Sequence, residues 1–119
     1  MIRALLVALA VFDTALGLAS VAAPQVVADL LWPAAGPGGL ALIRRTGAIW
    51  LFFAAVEATA VARPGLVRLV ALLRWMDVPA DALWFLFADG LTTFGKLGIG
   101  LAPLANIAIG AALWRSTSR

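Results

Sequence analysis

The chain has 119 residues, of which 64% are apolar and only 13% charged, and its mean hydropathy is +1.04. Soluble domains are about half apolar and about a quarter charged, so this chain cannot cover itself with polar surface and the bilayer is its expected solvent. The net charge of +3 comes from Arg residues scattered between apolar runs, which gives no basic stripe for nucleic acid, and the absence of Cys and His excludes disulfides, the usual zinc sites, His-ligated haem and Ser/His/Asp or Cys/His catalysis.

The length allows one domain and about four crossings at ~20 residues each. The expected fold is all-α, a four-transmembrane-helix bundle with helices over about 2–23, 40–62, 66–88 and 91–114. The first run, Ile2 to Ala23, is interrupted by Arg3 and Asp13. Its Ser20-Val21-Ala22 resembles a small-residue cleavage site, but Asp13 inside the run and Pro24 just behind it favour retention as a first spanning helix. Residues 24–39 are read as a loop. Gln25 to Trp32 is mildly amphipathic and suits a short interfacial helix with Trp32 at headgroup level, and Pro33 to Gly39 is a break.

The second run, Leu40 to Ala62, carries Arg44 and Arg45 in its first turns and Glu57 in its last third, and Arg63-Pro64-Gly65 ends it. The third, Leu66 to Ala88, holds Arg68, Arg74, Asp77 and Asp81, with Pro79 in its middle. It reads as a kinked crossing, or else as a helix to Met76 followed by a new short helix opened by Asp77. Kinking is favoured, because a first half of ~11 residues cannot cross alone at 1.5 Å per residue. Asp89-Gly90 turns the chain into the fourth run, Leu91 to Trp114, interrupted by Lys96, Pro103 and Asn106.

With four crossings the termini and the second loop share one side, which holds Arg3, Arg63, Arg68, Arg115 and Arg119; the other side holds Arg44, Arg45 and Lys96. Basic residues mark the cytoplasmic face, so both termini are expected in the cytoplasm of a bacterial inner-membrane, multi-pass protein.

The ionisable residues inside these runs are the candidate site. Arg74 lies about 13 Å from the cytoplasmic end of its helix, Asp13 about 15 Å, Asn106 about 12 Å and Glu57 about 8 Å. These four are expected in one layer, with Asp13 paired to Arg74. A second layer is expected from Arg44 or Arg45 with Asp77, Asp81 and Lys96. Arg74, Asp77 and Asp81 are spaced i, i+3, i+7 and share a face, which should point into the bundle. Pairing by sign favours a structural role; an uncompensated acid favours transport.

Small residues four apart suggest close helix packing: Ala15/Ala19/Ala23, Gly47 with Ala55 and Thr59, and Gly98/Ala102/Asn106/Gly110. Gly95-Lys96-Leu97-Gly98 lacks the strand and spacing of a phosphate loop. Trp32, Trp84 and Trp114 read as interface residues, while Trp50 and Trp75 are deeper and suit core packing or a ligand pocket. Asp77, Asp81 and Asp89 invite a divalent-ion site, but capping and ion pairing explain them with fewer assumptions. No cofactor, no metal and no catalytic residue is assigned.

The first helix ending in Ala23-Pro24, the Leu-Leu-Trp-Pro stretch at 30–33 and Arg45-x-Gly47 opening the second helix resemble the small bacterial membrane proteins grouped as DoxX-like. That resemblance implies a four-helix bundle and no specific activity. The size and the mid-helix acid Asp13 also resemble the small multidrug resistance exporters, whose essential first-helix carboxylate is a Glu and whose loops are shorter than residues 24–39. The first functional expectation is a non-enzymatic accessory or scaffolding subunit. It would meet lipid and protein partners, or further copies of itself, through its helix faces. The alternative is a proton-coupled exporter of small cations with Asp13 and Glu57 as carriers. A third reading, a lipid-acting enzyme built on the outer Asp cluster, needs the most assumptions.

Overall fold

The computed structural model describes residues 1–118, so Arg119, counted in the orientation argument, lies outside the described residues. The described residues form five α-helices and no strand: α1 (Ile2–Ala22), α2 (Pro24–Leu31), α3 (Gly36–Ala62), α4 (Val67–Phe87) and α5 (Thr93–Ser116), with a 3-10 turn over Pro64–Leu66 before α4. Three of them, α1, α3 and α5, are long and apolar enough to cross a membrane. Helix α4 has 21 residues but carries Arg68, Arg74, Asp77 and Asp81 and is not among those three.

Local chemistry accounts for the boundaries. Pro24 disfavours helical backbone at Ala23, which ends α1, and the same proline opens α2 at its first turn. The break after Trp32 is shorter than the sequence suggests. Gly36, at φ 61, turns the chain, and Pro37 is tolerated in the first turn of α3, so that helix begins four residues before Leu40. Helix α4 runs unbroken through Pro79, so no new helix opens at Asp77. The side chain of Thr92 caps α5 by accepting from Gly95 N at 2.9 Å, which sets its start at Thr93 rather than Leu91.

The helices pack as two pairs, α1 along α3 and α4 along α5, with sparser contact between the pairs. At the α1–α3 crossing a Cβ on Gly17 would lie 2.9 Å from Gly47 O, and one on Gly47 would lie 2.6 Å from the Ser20 Cβ. Only glycine permits so close an approach. Ala15 and Ala19 are exposed, and Gly17 and Ser20 make the close contact within the bundle. On α5, Gly110 backs onto the Trp75 indole, Ala102 is half-buried, and Gly98 faces open space and packs against no helix of its own bundle.

Two apolar clusters bracket the bundle. One joins Leu6, Leu9, Ala60, Val67, Val70, Ala71 and Leu113; the other joins Val27, Ala28 and Ile43, with Trp84 against it. Along α4 the polar residues Arg74, Asp77 and Asp81 fall between them. The second cluster is closed by three bonds to the α4–α5 connection: Trp32 Nε1 donates to Asp89 O at 2.7 Å, and Thr92 donates from Oγ1 to Leu30 O at 2.6 Å and from its backbone N to Leu31 O at 3.0 Å. The outer surface is apolar, with Phe12, Phe52, Phe87, Phe94 and Leu104 all more than half exposed. Such a surface suits hydrocarbon and not water.

Candidate functional site

Arg74 projects from the middle of α4 into the bundle, where it is 4% exposed. Its Nη2 donates to Asp13 Oδ2 of α1 and to Glu57 Oε1 of α3, and both acids are 1% exposed. The guanidinium carbon also lies 5.8 Å from the centroid of the Phe53 ring. One side chain of the α4–α5 pair thus engages both helices of the α1–α3 pair. The trio is not fully satisfied: Arg74 Nε and Glu57 Oε2 are buried without a hydrogen-bond partner.

Asn106, expected beside this trio, joins the next group along α4. Its Nδ2 lies 3.4 Å from Asp77 Oδ2 and 3.3 Å from Asp81 Oδ2. The reason is the register of α5 on α4. Trp75 sits against Gly110 and donates from Nε1 to Ile107 O at 3.4 Å. The helices run antiparallel, so moving up α4 toward Asp77 and Asp81 moves down α5 to Asn106.

The second ionic layer differs more deeply from expectation. Arg44, Arg45 and Lys96 are all exposed, and neither Asp77 nor Asp81 forms an ion pair among the described residues. Because Ile43 and Gly47 take the inward face of α3, Arg44 and Arg45 turn outward. Among the described residues the bundle therefore sets the buried Asp13 and Glu57 and the half-buried Asp77 and Asp81 against one inward-facing cation, Arg74.

A cavity of about 130 Å³ opens beside Asp77 and Asp81. Trp32, Trp50 and Trp84 line it together with the two carboxylates and Ser20. Trp32 and Trp84 meet edge to face with centroids 5.2 Å apart, so these two indoles wall the cavity. Comparison with protein-family models, curated proteins and solved structures finds no match to this chain.

The remaining sequence candidates are elsewhere. Asp89 is exposed and offers only its backbone carbonyl, to Trp32, so it does not join Asp77 and Asp81. Among the described residues no group of three or more His, Cys, Asp or Glu is placed to hold a metal ion. Trp75 stacks at a tilt on Trp114, with centroids 5.5 Å apart, and lies away from the cavity lining. Arg68, at the start of α4, covers the Trp114 ring at 5.2 Å and donates from Nε to Thr117 Oγ1 at 3.0 Å. Sequence reasoning passed over Ser20, whose small side chain leaves room at the α1–α3 crossing. Its helical spacing to Gly17 and Asp13, at i−3 and i−7, was the available signal.

Proposed function

We propose that this chain is a multi-pass protein of the bacterial inner membrane that carries small cations through its interior in exchange for protons. All four long helices cross, α4 with its polar face covered by the bundle, and both termini lie in the cytoplasm. The observation that supports this reading is an imbalance of charge inside the bundle: among the described residues, two buried and two half-buried carboxylates stand against one buried guanidinium. A low-dielectric interior requires each carboxylate to hold a proton or face a cation, and ionisable groups at membrane depth mark pathways for ions and protons. Asp13 and Glu57 are committed to Arg74 and join the two helix pairs. The carrier groups are Asp77 and Asp81, which border the cavity and form no ion pair among the described residues.

Proteoliposomes enclosing a pH-sensitive dye test the proposal. An imposed gradient of an alkali-metal or alkylammonium chloride is expected to drive protons the opposite way. Asp77→Asn and Asp81→Asn should each abolish the signal, and an unchanged signal in both variants would refute the assignment.

The subunit reading retains one supporting observation. Gly98 faces open space on α5, flanked by exposed Phe94, Leu97 and Leu101, a face on which another helix can approach closely. Co-purification at fixed stoichiometry with a larger complex, from native membrane in mild detergent, would favour that role over transport.

A further inference from the structure

The cavity beside Asp77 and Asp81 combines three features that select among cations. Its walls are largely indole and aliphatic, with Trp32, Trp50 and Trp84 the large surfaces. Its ionisable groups are all acidic: neither carboxylate has an ionic partner among the described residues and no Lys or Arg side chain lines it. Its size, about 130 Å³, is just below that of an engineered protein cavity of about 150 Å³ that takes up benzene.

A bare metal ion fits these features poorly. Calcium takes about six to eight oxygen ligands, and magnesium keeps several waters in a strict octahedron. The oxygens available are those of two carboxylates and the hydroxyls of Ser20 and Thr46, set among indoles and aliphatic groups. The Ser20 hydroxyl is already donated to Leu16 O at 2.8 Å, and that of Thr46 to Leu42 O at 2.9 Å. An alkylammonium ion has the opposite needs. Its charge is spread over carbon, it requires no oxygen cage, and indole is the most favourable ring face for it.

We propose that this cavity binds a compact organic monocation, a primary to quaternary alkylammonium of about six non-hydrogen atoms, held between the Trp faces and the carboxylates of Asp77 and Asp81. The inference rests on the reading of the interior as a site for positive charge, and names the class of cargo. Asp77 and Asp81 sit one helical turn apart on α4, so a single ammonium centre can lie between them, its one positive charge balancing one carboxylate while the other keeps its proton. Asn106 meets the same two carboxylates from α5 and is absent from the cavity lining, so it holds the acids in place and leaves the ligand side clear.

The experiment is equilibrium titration of the full-length protein in nanodiscs with tetramethylammonium chloride, followed by Trp fluorescence and calorimetry. Uncharged tert-butanol, of the same size, and potassium and magnesium chlorides serve as comparisons. Tetramethylammonium is expected to saturate a single class of site and the other three are not. Asp81→Asn should weaken binding by at least about tenfold, and Trp84→Leu by about threefold or more. Equal binding of tetramethylammonium and tert-butanol would overturn the inference, and so would displacement of tetramethylammonium by magnesium. The wild-type comparison decides the matter even if either variant fails to fold. Binding without proton exchange in liposomes would remove the transport proposal and leave the site. Proton exchange with alkali-metal ions alone, and no tetramethylammonium binding, would remove the site and leave transport.

Discussion

At Arg74 a single nitrogen serves carboxylates on two different helices. Removing one partner of a buried ion pair costs about 3–5 kcal/mol, because the charge left behind is stranded. Arg74→Leu strands two acids, so it is expected to lower stability in detergent by at least that amount, read as a fall in Tm by circular dichroism. Asp13→Asn leaves the Arg74–Glu57 pair intact and removes one charged hydrogen bond, so the expected loss is smaller, about 1.5–3 kcal/mol. The two α5 glycines should separate just as clearly. A Cβ at Gly110 collides with the Trp75 ring, whereas one at Gly98 meets nothing within 4 Å. Gly110→Ala is therefore expected to cost about 1–3 kcal/mol, while Gly98→Ala is neutral or stabilises by up to about 1 kcal/mol through helix propensity. The same Tm measurement ranks the two variants.

Among the elements, α4 is the one that decides the topology. The chain has no cysteine, so single cysteines report sidedness without background. If α4 crosses, Gly65→Cys and Asp89→Cys react with a membrane-impermeant maleimide from opposite faces; labelling from the same face would make α4 re-entrant. The helical runs were legible in the sequence because apolar length and Pro or Gly punctuation are local properties. The start of α3 was less so, since Pro37 and the glycines around it read as a break although a first helical turn tolerates them. Depth along each helix brought Asp13 and Arg74 to the same level, where the structure joins them. Depth alone misplaced Asn106, because the register of α5 depends on how Trp75 seats against Gly110, a contact between distant residues. It also assigned Arg45 to the interior, whereas rotation about the helix axis, set by Ile43 and Gly47, turns that side chain outward.

On the scale of the whole molecule, lipid changes what holds the bundle together. Hydrocarbon is as apolar as leucine, so the two apolar clusters contribute little to helix association; close glycine contacts and polar bridges supply it. With a long axis of 46 Å, the fold exceeds a hydrocarbon core of about 30 Å and leaves its ends at the headgroups. Sequential carbonate and detergent extraction of membranes should release the protein only in detergent. The shared arginine also has a consequence for biogenesis. Helices α1 and α3 precede α4 in the chain and bring Asp13 and Glu57 to one point, where Arg74 joins them only once α4 packs. Until then the nascent hairpin holds two acids with no base to meet them, and the arrival of α4 locks an assembly that was electrically unfinished. A chain stopped after Ala62 should accordingly be cleared by quality-control proteases in pulse-chase labelling, and co-expression of a fragment beginning at Arg63 should rescue it.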